Sequence, residues 1–270
     1  MKTKSPLPYF GSDSSVASRL GSMLDGCNHV TIPFCGGMSI LPWLKARTVV
    51  ANDLNQAAIN FYRIASGIEG PRLQELLFDR CRETLSHPKE MQDAEFVMAH
   101  DPYVTSWIRA WAYWALCWIG RKGAGGTDNL GGEPSIRWTA DGGNNASRIR
   151  AAAEDLTEWA EHFRRCEWLC KDFREVLSKV KDQDGCGIYC DRPFWKAGKA
   201  YVHSFTEQDH IDLRDALSRF QNATIVVRYD DCEQIRDLYK GWHIIDASVR
   251  DQCNAMKGEV WITNKESSNV

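Results

Sequence analysis

The apolar run at 28–34 (NHVTIPF) breaks at Cys35-Gly36-Gly37, passes through ILPWLKAR and resumes at 48–53 as TVVAND. Two buried-strand patterns separated by a glycine turn and one short helical pattern are the opening of a right-handed βαβ unit. This constrains the chain more than any other feature, because parallel strands need both faces covered by crossovers. The rest of the sequence agrees. Apolar residues at 58, 59, 61, 62, 64 and 65 make one face of a helix over 55–67, and a second helix is expected over 71–84. Trp107, Trp111, Trp114 and Trp118 recur at helical spacing within 101–119, a pattern that suits a packed helix better than a base-stacking array. A helix over 147–164 follows, then strands CEWLC, GIYCD, ATIVVRY, WHIIDA and EVWIT, with helices at 172–181, 207–220 and 232–239 between them. Such alternation predicts a mostly parallel sheet with helices on both faces.

With 270 residues, 43% apolar and 26% charged, the chain can bury the core of one α/β domain carrying an inserted subdomain. No stretch approaches eighteen consecutive apolar residues, and MKTKSPLPYF lacks the apolar centre of a signal peptide. A soluble, cytoplasmic protein is expected. The net charge of −3 excludes wholesale coating of nucleic acid, so any such contact must be a local basic face. The ten cysteines are read as reduced thiols, since the chain is neither short nor exported. Cys166/Cys170 and Cys186/Cys190 form two C-x3-C pairs, but the spacing does not suit the common zinc knuckles. Cys186 and Cys190 belong to or border the strand GIYC, where they pack as small hydrophobes, and no metal is expected.

In an open α/β sheet, ligands bind at the carboxyl ends of the strands near the switch point. The first strand delivers Phe34, Cys35, Gly36 and Gly37 there, glycines that let backbone approach a ligand. The second ends in Asn52-Asp53, and an acid in that place can accept both hydroxyls of a ribose. Nicotinamide cofactors use the same geometry. However, G-x-G-x-x-G is missing and no turn is built to cradle phosphate, which favours a nucleoside without pyrophosphate, and S-adenosylmethionine fits. Asp172-Phe173 brings another acid and ring to this edge, able to bind and cover an adenine; equally, Asp172 could cap a helix and Phe173 fill the core.

The strongest local signal is Asp191-Arg192-Pro193-Phe194-Trp195 at the end of a later strand. The exocyclic nitrogen of adenine is a poor nucleophile because its lone pair is delocalised into the ring. A carboxylate and an adjacent backbone carbonyl can accept its two N–H bonds and aim the freed lone pair at an electrophilic methyl. Asp191 and the Arg192 carbonyl suit this, with Pro193 fixing the backbone and Phe194 or Trp195 stacking on an extruded base. Alone, the same residues read as a loop acid beside a proline that ends a strand.

Taken in order, these motifs resemble the DNA adenine-N6 methyltransferases of the DNA adenine methylase type, including phage-encoded members, over nearly the whole chain. Tyr9-Phe10-Gly11 is similar to the family's Y-F-G-G-K segment, 33–37 to its P-F-x-G-x-G loop, and 52–55 to its N-D-x-N motif. Asp172-Phe173 is similar to G-D-F, and 189–194 to Y-x-D-P-P-Y/W. Tyr201, 202–206 and Asp209-His210 resemble Y-x-H-x-F-T…D-H. The resemblance implies a Rossmann-like class I methyltransferase: a mostly parallel seven-stranded sheet, helices on both faces, and an inserted helical and loop DNA-recognition subdomain. It implies catalytic-domain segments 1–74 and 161–270, a recognition insert at 75–160, S-adenosylmethionine as methyl donor and DNA as partner, with the chain a monomer or a homodimer. Tyr9, Phe10, Gly11, Phe34, Cys35, Gly36, Gly37, Asp53, Asp172 and Phe173 would hold the cofactor; Asp191, Arg192, Pro193 and Phe194 would form the catalytic loop.

Two departures stand out. Ser12-Asp13 replaces the family's lysine, and Arg192 replaces the second residue of D-P-P-Y. A guanidinium about 4 Å from a sulfonium is repelled by about 4 kcal/mol at an effective dielectric near 20. Arg192 must therefore turn outward if the reaction is to proceed. The glycine-rich stretch 120–150 supplies Arg121, Lys122, Arg137, Asn144, Asn145, Arg148 and Arg150, residue types that meet phosphates and base edges. Two other readings remain at this point: cytosine-N4 methylation by the same geometry, although that class opens its loop with serine, and a DNA- or cofactor-binding protein without catalysis.

Overall fold

The computed structural model describes residues 5–9, 15–103, 105–120, 125–126, 130–131, 134, 136, 138–191, 195, 205–250 and 256–266. The strands are β1 (His29–Phe34), β2 (Thr48–Asn52), β3 (Cys166–Leu169), β4 (Cys186–Asp191), β5 (Thr224–Asp230), β6 (His243–Arg250) and β7 (Met256–Thr263). Between them run α1 (Ala17–Ser22), α2 (Gln56–Ala65), α3 (Pro71–Glu83), α4 (Pro88–His100), α5 (Trp107–Ile119), α6 (Asn145–Phe163), α7 (Phe173–Lys179), α8 (Glu207–Ser218) and α9 (Glu233–Leu238). The seven strands form one sheet in the order β3-β2-β1-β4-β5-β7-β6. β1 pairs in parallel with β2 and β4, and β4 with β5, whereas β7 runs antiparallel to β5 and β6. Strand order reverses direction between β1 and β4, which makes their carboxyl ends the switch point of the mostly parallel, Rossmann-like sheet.

The expected helix at ILPWLKAR is not formed. The chain makes a single 3-10 turn at Leu41–Trp43, and Leu44 is already extended (φ −79°, ψ 125°). Of the residues 35–47 between β1 and β2, Gly36 and Gly37 pack against the amino-terminal segment and Leu44 is already extended, so only one turn is left between them. The connection buries Leu41, Leu44 and Ala46 without a helix. Helices α1 and α4 were not expected from the pattern. In α4 only Met91 and Ala94 are buried, so its amphipathic signal is weak.

The chain divides into two compact units: a helical unit of 1–12, 36–39 and 55–168, and a sheet unit of 13–35, 40–54 and 169–270. In the sheet unit, strand register sorts residues by face. Ile188, Cys190, Ile225, Val227, Tyr229, Val260 and Ile262 share a core with Leu177 of α7, Leu213 and Leu217 of α8 and Ile235 of α9. Each such side chain contributes about 1.5–3 kcal/mol when fully buried. Cys186 and Cys190 sit in this core as small hydrophobes. On the opposite face, register sets Asp191 beside Arg228 and Arg228 beside Trp261. That face also carries Gly187, where an added Cβ would lie 3.0 Å from Leu24 Cδ2 and from Cys27 Sγ. The Arg19 guanidinium of α1 lies 4.5 Å over the Trp261 ring.

The helical unit is held by rings. Tyr62 stacks on Trp168 at 4.6 Å and meets Phe163 edge-on at 5.4 Å, with Trp159 stacked on Phe163 at 6.0 Å. The tryptophans of α5 are packing residues: Trp111, Trp114 and Trp118 are buried. Trp111 donates its indole N–H to Thr84 Oγ1 at 2.8 Å, and Arg80 lies 3.9 Å over its ring while pairing with Glu90 at 2.6 Å. Aromatic contacts of this kind add roughly 0.5–1.5 kcal/mol beyond the area they bury.

Candidate active site

At the carboxyl end of β2 the buried Asn52 ties three segments together. Its Nδ2 donates to the carbonyls of Pro33 and Lys171, both at 2.9 Å, and its Oδ1 accepts the Lys171 N–H at 2.9 Å. The Cys35 N–H donates to the Asn52 carbonyl at 2.7 Å, and the Asp53 N–H to the Leu169 carbonyl at 3.3 Å. A fixed collar of backbone thus presents the partly exposed Asp53. Its carboxylate is felt by Cys170, whose thiol is pushed up first by burial and then by the Asp53 charge.

Asp172 caps α7, accepting the Arg174 N–H at 2.8 Å, and pairs with the Arg174 guanidinium at 3.1 Å. Arg174 also binds Asp209 and Asp212 of α8. Burial opposes its charge, but the three carboxylates outweigh burial and hold it charged. Thr206 and Asp209 form the capping box of α8. Asp209 is kept below the usual carboxylate range because the Thr206 hydroxyl and Arg174 overcome its partial burial. Phe173 is 3% exposed and packs against Phe34 at 5.4 Å and Phe205 at 5.7 Å, a ring cluster at the strand ends.

Asp191 closes β4, two residues after Tyr189 on the same face. Its two carboxylate oxygens lie 3.4 and 3.3 Å from one Nη of Arg228, a side chain only 2% exposed. The other edge of that guanidinium grips Glu259 bidentately at 2.9 and 2.7 Å. Burial works against the Arg228 charge, and Asp191 and Glu259 overcome it. Burial likewise pushes the Tyr189 hydroxyl well above its ordinary value, and the Asp191 charge raises it further, so it stays protonated. The Asp191 side chain keeps 25% of its surface open, against 6% for Glu259. The Trp195 N–H donates to Asp230 Oδ1 at 2.9 Å, and its ring lies 4.6 Å from that of buried His210. His210 Nδ1 is 3.0 Å from the Tyr229 hydroxyl.

Within the helical unit, Gly36 and Gly37 pack against the chain's own amino-terminal segment. An added Cβ at Gly37 would lie 2.8 Å from Tyr9 Cβ and 2.9 Å from the Leu7 carbonyl oxygen. Gly36 has φ +47°, and Gly125 leaves room for the other edge of the Tyr9 ring. These glycines therefore serve Tyr9 at least as directly as they serve a ligand. Tyr9 and Tyr113 receive hydrogen bonds from Asn55 Nδ2 at 3.3 and 3.0 Å, while Asn55 Oδ1 caps α2. Asn144 caps α6 through a capping box with Ser147. Asn145, expected to face DNA, is instead 4% exposed and bonds Ser86 Oγ at 3.1 Å, because it belongs to the first turn of α6 on its inward side. Arg148 and Arg150 are exposed on α6, with Arg148 lying 5.7 Å from the Trp118 ring. The expected residues Phe10, Gly11, Arg121, Lys122, Arg137, Arg192, Pro193 and Phe194, and the departure at 12–13, lie outside the described residues.

Arg228, Glu259, Asp230 and Arg174 were not among the site residues expected from the sequence motifs. The available signal was charge inside apolar strands: Arg228 within TIVVRYD and Glu259 within MKGEVWIT.

The sheet unit suits a nucleoside cofactor that lacks phosphate. A dinucleotide needs a helix amino terminus after β1 to meet its pyrophosphate. Here β1 leads only to a 3-10 turn, and the Cys35 N–H is already committed to β2. What the edge offers is carboxylate, at Asp53 and Asp172, where hydroxyl and amine donors can be accepted.

No curated protein sequence matches the chain. Among solved structures, an O-methyltransferase from Bacillus cereus crystallised with SAH is similar at 10% identity and a TM-score of 0.41, over 96% of this chain and 84% of that one. The sequence pattern of the D12 class N6 adenine-specific DNA methyltransferases matches residues 9–252. The chain belongs to that family, and is an S-adenosylmethionine-dependent enzyme that methylates the N6 amine of adenine in DNA.

Proposed function

We propose that Asp191 is the group that accepts the adenine amine, and that Asp53, Asp172, Phe34 and Phe173 of the sheet edge form the cofactor-binding side. The observation that carries this reading is the state of Asp191 itself. It stands at the end of β4 beside the switch point, held on one side by Arg228, with its other side open. When bound, S-adenosylmethionine would supply a methyl group on a positively charged sulfur, the S–CH3 bond breaking as the N–CH3 bond forms and the sulfur leaving with the electron pair as a neutral thioether. The open side of Asp191 accepts one N–H of the extruded base, and the carbonyl of residue 192 accepts the second. The nitrogen lone pair, freed from the ring, then points away from both acceptors. As the new bond forms, the nitrogen's surplus proton leaves by way of the Asp191 carboxylate to solvent. Asp53 accepts from the ribose hydroxyls. Tyr9, Phe10, Gly11, Cys35, Gly36 and Gly37 complete the cofactor loop by analogy with the family.

The insert at 75–160 reads DNA, with Arg148 and Arg150 on the exposed side of α6 meeting phosphates, and Arg121, Lys122 and Arg137 supporting them. Among the described residues no helix is long and apolar enough to cross a membrane. We place the enzyme in the cytoplasm, where its DNA substrate is.

The test is Asp191→Ala, assayed with labelled cofactor on enzymatically amplified, unmethylated DNA. Methylation should fall by about 10³-fold or more while cofactor affinity is retained, because the lost contact is made in the transition state. Retained activity, or loss of cofactor binding in step with activity, contradicts the role.

A further inference from the structure

We propose that Arg228 and Glu259 form a positioning device for the reacting carboxylate, a role that rests on the reading of Asp191 as the acceptor of the adenine amine. Stability alone does not account for the arrangement. A guanidinium 2% exposed on β5 and a carboxylate 6% exposed on β7 are buried within the sheet. Apolar side chains of similar volume are often as stable in such a place, or more so.

The geometry points to Asp191 instead. Glu259 occupies Nε and Nη2 of the guanidinium at 2.9 and 2.7 Å, leaving Nη1 to bridge both Asp191 oxygens at 3.4 and 3.3 Å. A donor lying nearly symmetrically between two oxygens fixes the direction of the carboxyl group. Because Glu259 takes the bidentate edge, Arg228 orients Asp191 without drawing off all of its strength as an acceptor. Only Asp191 has an open side, so only Asp191 is available to a substrate. Its orientation is thus set before the base arrives, the preorganisation on which in-line transfer depends. Neither Arg228 nor Glu259 meets substrate; both act through Asp191.

The test is the paired variant Arg228→Met with Glu259→Gln, which removes both buried charges together, compared with Glu259→Gln alone and Arg228→Lys. Cofactor and DNA binding and the thermal transition are measured beside kcat and KM on amplified DNA. The paired variant should melt cooperatively and keep KM, with kcat lower by about 10²-fold, the scale of a misplaced reacting group. Arg228→Lys should recover part of that loss. Glu259→Gln, in which the whole cation falls on Asp191, should lose about ten-fold in kcat, with affinities unchanged. A folded paired variant with kcat within about three-fold of the natural protein overturns the proposal. Should the paired variant fail to melt cooperatively, Glu259→Gln decides: a lower kcat supports the device and an unchanged one overturns it. Failure of the underlying reading looks different, because Asp191→Ala would then remain active.

Discussion

The interiors of the two units are built from opposite materials. In the helical unit rings fill much of the buried space, with Trp111 and Trp114 at 1% and 0% exposure and Asp155 the buried carboxylate among the described residues. The glycines at 36, 37 and 125 make room for Tyr9. In the sheet unit the strand ends carry charge inward, as Arg228 between Asp191 and Glu259. Rings and glycines serve packing, which gains stability in proportion to buried area. Buried charges cost desolvation and return it only through good pairing, so their retention at a sheet edge marks where chemistry is done. One unit should therefore fail by unfolding and the other by losing activity while folded.

The largest effect that would break this contrast lies in the helical unit. Trp111→Ala should cost about 3–5 kcal/mol of stability, read as a lower denaturation midpoint at unchanged slope. It removes a buried ring with Arg80 above it and Thr84 on its indole N–H. At a temperature where the variant remains folded, kcat should be close to that of the natural protein. In the sheet unit Asp53→Ala should do the reverse, weakening cofactor affinity by about 10²-fold through loss of bonds to both ribose hydroxyls, with little change in melting. Calorimetric titration with S-adenosylmethionine measures it. An unaltered affinity would remove Asp53 from the cofactor site.

Gly37→Ala comes next, because the new methyl meets Tyr9 and the Leu7 carbonyl at under 3 Å. Overpacking of this kind costs about 1–3 kcal/mol, and pairing it with Tyr9→Gly, which removes the Cβ it meets, should restore part of the loss. Recovery in the pair would show that the glycine serves the tyrosine.

The smallest effect concerns acid. Asp209, Asp212 and Asp182 are held below the usual carboxylate range. The chief favourable causes are Thr206 and Arg174 for Asp209, Gln208 and Arg174 for Asp212, and the backbone N–H groups of Ala223 and Gln221 for Asp182. Groups depressed in the folded state contribute stability above their unfolded value, about 3.9 for Asp, and lose it as pH falls through the folded values. Melting temperature should therefore drop below about pH 4. The drop should be shallower in Arg174→Met, which frees Asp209 and Asp212 in advance.

How much of this could be read from the chain follows from the same contrast. Strands β1, β2, β4 and β5 are legible because central parallel strands, covered on both faces, appear as continuous apolar runs. The tryptophans of α5 are legible by their spacing. Helix α4 is not, since two buried residues give no periodicity, and ILPWLKAR reads as a helix although the chain turns only once there, because a local pattern does not register that Leu44 is already extended toward β2. Asp191 was legible from its neighbours in sequence, but its partners were not. Arg228 is 37 residues from Asp191, and Glu259 is 31 further on. Only the pairing of β4 with β5 and β5 with β7 brings them together. Likewise Asn145 looked like a surface amide until the start of α6 turned it inward.

The most direct measurement of the central claim is the identity of the methylated nucleoside. Amplified DNA incubated with the purified chain and methyl-labelled S-adenosylmethionine is digested to nucleosides and separated. Label confined to N6-methyladenine, and lost in Asp191→Ala, is the predicted result. Label in N4-methylcytosine, or no label from a protein that binds both DNA and cofactor, would contradict it.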